Sequence, residues 1–146
     1  MIGVVIVTHA KYGEELLEAA QGILGRQEHC AALSVNVAKD MENSVQEIHS
    51  AVKEVDSGEG AIILTDMFGG TPSNLSLSLI GTGQLEVITG VNLPMLLKIL
   101  ETRGQNDSKS GSASLESIAH EAKSAGRQGI LVAGEILKRK VAHEQK

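Results

Sequence analysis

The sequence predicts an α/β fold, a doubly wound and mostly parallel central sheet with helices on both faces. Two runs, IGVVIVT at 2–8 and GAIILT at 60–65, are continuously apolar and β-branched, as strands covered on both faces must be. The stretches between such runs repeat their apolar residues at helical spacing. The resulting order, β-α-β-α-β-α-β-α-(α)-β, is that of parallel strands joined by crossover helices.

Each element has its own signal. After the first strand, Leu16, Leu17, Ala20, Ile23 and Leu24 mark a helix over 13–24, with Gly25 as its stop. ALSVNV at 32–37 alternates, as a half-covered strand nearer an edge would. Asp40 is the expected N-cap of a second helix, whose inner stripe is Val45, Ile48, Val52 and Val55. After the strand at 60–65, Thr71 reads as an N-cap and Pro72 as the first helical residue, where a missing N–H costs nothing. LEVIT at 85–89 is the fourth strand, and an apolar helix follows Asn92, with Pro94 in its first turn. The Gly/Ser-rich segment 104–112 reads as a flexible loop. Leu115, Ile118, Ala119 and Ala122 define a helix ending near Gly126. GILVA at 129–133 is expected to be a last strand, and 138–146 a charged tail. No internal repeat appears, so residues 1–146 are expected to form a single domain.

Composition narrows the function. The chain has 146 residues and a formal net charge of −5, without a basic block, which disfavours nucleic acid as a partner. Tyr12 and Phe68 are its only aromatic residues, so the core must be aliphatic. The lone Cys30 allows neither a disulfide framework nor a cysteine zinc cluster, and reads as a buried, inert thiol. The apolar N-terminal run has no preceding positive charge and is too short to span a bilayer. A soluble cytoplasmic protein, not inserted in a membrane, is expected.

In parallel sheets of this kind, ligands meet the carboxyl ends of strands where strand order reverses. That rule selects Thr8-His9, Asp66–Thr71 and Gly90–Asn92, all on one edge. A carboxylate from Asp66 bonded to one imidazole nitrogen of His9 would fix the tautomer and leave the other nitrogen bare and nucleophilic. Gly69 and Gly70 permit positive φ and bring backbone N–H groups towards a ligand, and a helix start at Thr71-Pro72 adds unpaired donors. The ensemble suits a phosphoryl group. Taken by itself, Gly-Gly-Thr-Pro is equally a tight strand-to-helix turn. His9 and Asp66 are too few ligands for a metal, and His29, His49, His120 and His143 are scattered and are given no role. There is no GxxxxGKS/T, no GxGxxG after the first strand and no G-x-S-x-G. No cofactor is called for.

With IVTHA, LTDMFGGTPSN and ITGVNLPML on the page, the chain resembles the mannose-type enzyme IIA domains of the bacterial phosphoenolpyruvate-dependent sugar phosphotransferase system. The likeness spans about residues 1–133. It implies that His9 accepts a phosphoryl group from the phosphocarrier HPr and passes it to an enzyme IIB for sugar uptake. It also implies that Asp66 orients the ring, and that Thr71 contacts the phosphoryl oxygens with the Gly69 and Gly70 amides nearby. Phe68 would belong to the docking surface or shield the site, and Asn92 would lie at the crevice rim. Members of the family are dimers whose last strand can pair antiparallel with the partner's sheet, and GILVA is the matching segment. Two features depart from the pattern: Ala10 stands where many members have Gly, and the 104–112 loop is long. No IIB domain follows the tail, so the IIB partner is expected to be a separate chain. Two other readings stay open: a stand-alone regulatory phospho-acceptor whose binding is switched at His9, and a small-molecule enzyme using His9 as general base.

Overall fold

The sheet is where the sequence pattern resolves into architecture. In the computed structural model, which describes residues 1–36, 40–105 and 114–144, four strands lie in the order β2-β1-β3-β4 and every neighbouring pair is parallel. They are β1 Gly3–His9, β2 Cys30–Val35, β3 Ala61–Thr65 and β4 Leu85–Thr89, and the helices are α1 Tyr12–Leu24, α2 Met41–Val55, α3 Thr71–Leu77, α4 Leu93–Gln105, α5 Leu115–Gln128 and α6 Ala133–Glu144. The central strands β1 and β3 pair Val4 with Ile62 and Ile6 with Leu64. Both are buried almost throughout, which is why neither shows polar alternation.

Alternate residues of β1 feed two cores. Val4 and Ile6 join Leu96, Ile99 and Ile118 on the face that carries α1, α4 and α5. Val5 and Val7 join Ile48, Val55 and Leu75 on the opposite face, with α2 and α3. Chain order explains the split. From β1 the chain moves outward to β2, then returns past β1 to β3. Crossovers of one hand therefore put α1 on one face and α2 on the other. The reversal falls between β1 and β3, so the carboxyl ends of those two strands form the switch point.

Most expected elements are present, with four corrections. Strand β2 begins and ends two residues early, because Cys30 lies alongside Val4 and carries the ladder back to the loop; residues 37–39 lie outside the described part. Helix α3 is capped by Gly70, and Thr71 is its first residue, because Asn74 N–H already bonds Gly70 O at 3.0 Å. Of the segment 104–112, Gly104 and Gln105 end α4 and the rest lies outside the described residues. The fourth concerns GILVA. Residues 129–132 form no strand, and Ala133 already begins α6, which takes in most of the segment expected to be a charged tail. A strand needs a ladder, and Ile130, Leu131 and Val132 stand in solvent at 74%, 67% and 63% exposure with no neighbour to pair with. The Asp40 cap is as expected, its Oδ1 accepting from Glu42 N–H at 3.2 Å.

Far from the switch point, Arg103 is buried at 2% exposure and donates to the carbonyls of Ile2, Glu28 and His29. It also approaches Cys30 Sγ at 3.2 Å. Burial pushes the Cys30 thiol up, and the Arg103 guanidinium offsets that only in part, so the thiolate is disfavoured.

Candidate functional site

The site is built on the two strand ends at the switch point. At the end of β1, Thr8 is fully buried and its Oγ1 accepts from Gly13 N–H at 2.8 Å, fixing the first turn of α1 against the strand. His9 therefore emerges from a clamped backbone, and its side chain is 44% exposed. Ala10 turns the chain at φ 48, a left-handed conformation that costs a residue with a Cβ about 1 kcal/mol. This is the position at which a glycine would sit without strain.

At the end of β3, Asp66 points back at His9. Its Oδ2 accepts from the His9 amide at 2.9 Å and from His9 Nδ1 at 2.7 Å, and its Oδ1 accepts from Met67 N–H at 2.9 Å. Burial resists ionisation of the carboxyl. The His9 amide, the ring hydrogen bond, the ring's charge and the Met67 amide together outweigh burial and hold Asp66 below the usual carboxylate range. The carboxylate is thus ionised and can only accept, so Nδ1 carries a hydrogen, and in the neutral form of the ring Nε2 is the bare nitrogen. The structure brings His9 and Asp66, expected at the two strand ends, into direct contact.

The two glycines serve the ring for different reasons. Gly69 stands at φ 85 with open space where a Cβ would go, so its role is conformational. Gly70 does not have positive φ, contrary to the expectation for the pair. It stands at φ −85, and a Cβ there would lie 3.1 Å from His9 Cε1 and 3.8 Å from Nε2. The imidazole edge that includes Nε2 therefore faces the turn leading into α3. Beyond it, Pro72 occupies the first turn, and Asn74 is the first residue with a helical amide bond. The Thr71 hydroxyl caps nothing and makes no hydrogen bond among the described residues. The two aromatic residues lie on this edge, Phe68 at 75% and Tyr12 at 46% exposure, with the Tyr12 hydroxyl donating to Val91 O at 3.1 Å.

Asn92 has a different occupation from the one the family resemblance implies. Its Oδ1 accepts from Met95 N–H at 3.0 Å and its Nδ2 donates to Gly126 O at 2.9 Å, so it caps α4 and ties α5 to it. It lines a groove of about 530 Å³ that runs along β4 beside α5. His9 is not among the residues of that groove. Among the described residues no group of three or more His, Cys, Asp or Glu could hold a metal ion, and no helix is long and apolar enough to cross a membrane. Sequence reasoning passed over Met67, Ser73 and Tyr12 at this edge. Of these, only Tyr12 carried a signal, as one of two aromatic residues in the chain.

Comparison with known proteins agrees with this geometry. The EIIA-man family model, described as "PTS system fructose IIA component", matches residues 3–119. The mannose-specific EIIAB component of Escherichia coli is 30% identical over 130 residues, which is 88% of this chain. The chain spans only 38% of that longer protein. The fructose-specific EIIA component of Bacillus subtilis is 32% identical over 104 residues, covering 70% of this chain and 71% of the relative. Among solved structures, the EIIA component from Streptococcus agalactiae superposes with a TM-score of 0.79 at 22% identity, over 92% of this chain and 99% of that one. The IIA protein of the fucose utilization operon from Streptococcus pneumoniae gives 0.73 at 25% identity, over 92% and 95%. A parallel sheet with its switch point at His9 and Asp66 and a family match over residues 3–119 lead to one assignment: the chain belongs to the mannose-type enzyme IIA family of the phosphotransferase system.

Proposed function

We propose that this protein is a phosphocarrier that accepts a phosphoryl group on His9 Nε2 from HPr and passes it to a separate enzyme IIB. The observation that carries this reading is the 2.7 Å bond between Asp66 Oδ2 and His9 Nδ1, with Nε2 left bare and turned to the α3 entry. In the forward step the Nε2 lone pair attacks the phosphorus of a phosphohistidine donor. The donor's P–N bond breaks as the new P–Nε2 bond forms, and the donor imidazole leaves with that electron pair. The His9 ring keeps its Nδ1 hydrogen and gains positive charge, which the ionised Asp66 stabilises through the bond already in place. The Thr71 hydroxyl and the amides of Gly69, Gly70 and Thr71 are the donors for the three phosphoryl oxygens. Exposed Met67 and Phe68 flank the ring and supply apolar surface for a docking protein.

The working unit of this reading is a homodimer in a soluble, cytoplasmic pathway. It is supported by two parts of the chain: the outer edge of β4, which among the described residues pairs only with β3, and the solvent-exposed apolar segment 130–132.

The test is in-vitro transfer. Incubation with phosphoenolpyruvate, enzyme I and HPr gives an acid-labile, base-stable mass increment of one phosphoryl group on wild type, located on His9. His9→Ala takes up none. Uptake by that variant at the wild-type rate would remove His9 as the carrier.

A further inference from the structure

Asp66 does not hold its position alone. On α3, Ser73 is fully buried, as is Thr65 at the end of β3. The Ser73 hydroxyl donates to the carbonyl of Met67. Its oxygen also lies 2.6 Å from Thr65 Oγ1. A serine has one hydroxyl hydrogen, and here it lies on Met67 O, so Thr65 must be the donor in the second bond. Thr65 is itself tied to the next strand, because its carbonyl accepts from Gly90 N–H and Val91 N–H, each at 2.9 Å. A continuous run of hydrogen bonds thus leads from the end of β4, through Thr65 and Ser73, to Met67.

Two backbone amides set the Asp66 carboxylate, that of His9 at Oδ2 and that of Met67 at Oδ1. The Met67 N–H holds Asp66 Oδ1 at 2.9 Å while the Met67 carbonyl is held by Ser73. Both residues flanking Asp66 are therefore tied to one buried hydroxyl, which fixes the Oδ1 side of the carboxylate while the His9 amide fixes Oδ2. The side chains of Met67 and Phe68 stand in solvent, so this turn is held by its backbone bonds rather than by burial.

We propose that Ser73 is a positioning residue for the Asp66–His9 pair: its hydroxyl, oriented by Thr65, anchors the Met67 backbone at its carbonyl and so steadies the Met67 N–H that holds the carboxylate that sets the His9 tautomer. The kinetic consequence rests on the phosphoryl-carrier reading of His9, whereas the tautomer consequence does not. Two buried hydroxyls also tie a helix to a strand, so stability alone cannot distinguish positioning from a structural tie. Replacing both with apolar groups leaves no orphaned hydroxyl and costs only the bond to the Met67 carbonyl, whereas Ser73→Ala alone loses that bond and also strands the Thr65 donor.

The experiment uses three variants of the full chain, Ser73→Ala, Thr65→Val and the double T65V/S73A, each read by chemical denaturation, by nitrogen NMR of the His9 ring and by phosphoryl transfer from HPr. Wild type gives ring-nitrogen signals of a single Nδ1–H tautomer. In the double variant, stability recovers relative to Ser73→Ala, the ring signals move towards a tautomer average, and transfer slows about tenfold, as expected for a misplaced reacting group. Thr65→Val keeps the Ser73–Met67 bond and loses roughly threefold, less than either variant lacking Ser73. A wild-type ring spectrum in the double variant overturns the proposal, as does wild-type transfer alongside a His9→Ala variant that transfers nothing. Should Ser73→Ala fail to fold, the double variant and Thr65→Val carry the same comparison. Should His9 prove not to be the carrier, the ring spectra still decide the matter.

Discussion

At the scale of single residues, the site separates conformational requirements from spatial ones, and adjacent glycines show the difference. Gly69→Ala puts a Cβ on a residue at φ 85 but meets no neighbour, so it should lower stability by about 1–2 kcal/mol and leave the ring where it is. Gly70→Ala is conformationally easy, but its Cβ would lie 3.1 Å from His9 Cε1, so the ring must shift by a few tenths of an ångström. Transfer should fall about tenfold for a stability loss of no more than about 1 kcal/mol. Denaturation curves and single-turnover transfer on the two variants check this, and equal behaviour in both assays would refute the division. Asp66 has a further signature in acid. Its carboxyl is held below the ordinary value of 3.8, so its stabilising contribution is complete above that value and is lost as pH falls through the depressed folded-state value. The stability difference between wild type and Asp66→Asn should therefore be full near neutral pH and shrink as pH drops below about 4. A difference that stays constant into acid would mean that the carboxylate gains nothing from its three hydrogen bonds.

At the scale of elements, local chemistry was readable wherever it alone decides the outcome. Burial on both faces forces β1 and β3 into unbroken β-branched runs, and Asp40 announces the start of α2 with a side chain that accepts from Glu42 N–H. Asp40→Ala should thus cost about 1 kcal/mol in urea unfolding without changing phosphoryl transfer, because the bond it removes is to Glu42 N–H within α2 and not to His9 or Asp66. A transfer defect in that variant would link α2 to the site. The pairing of His9 with Asp66 was also readable, since both end buried strands and topology brings such ends together. Other features depend on partners distant in the chain. Strand β2 begins at Cys30 because Val4 is there to receive it, not because Cys-Ala-Ala looks like a strand. Ser73 in Thr-Pro-Ser-Asn reads as an ordinary helical serine, and its purpose appears only when Thr65 and the Met67 carbonyl are seen on either side of it. The distinct need for Gly70 likewise becomes visible only with the His9 ring above it.

At the scale of the whole molecule, the body and the C-terminal segment obey different rules. Both cores draw on residues no later than Ala122, so the sheet and its two helical layers do not need 129–144 to fold. That later segment nevertheless carries Ile130, Leu131, Val132, Ile136, Leu137 and Val141 in solvent, an apolar load with no partner in one copy of the chain. The body has the complementary deficiency. Among the described residues strand β4 has an outer edge without a ladder, its residues are only half-buried, and Ile130 helps to line the groove beside it. An exposed β-branched run leaving the border of an open sheet edge is the arrangement that a second copy can close in both directions at once. Wild type should therefore sediment as a dimer at micromolar concentration. A chain ending at Gln128 should be a folded monomer with unchanged helix content, and Leu131→Asp should shift the equilibrium towards monomer by tenfold or more, on the order of 1.4 kcal/mol. Because His9, Asp66 and Ser73 all lie within the body, the monomer should keep the single His9 tautomer. A wild type that sediments as a monomer would mean that no second copy closes the β4 edge, and a truncated chain that remains dimeric would mean that 129–144 does not form the interface.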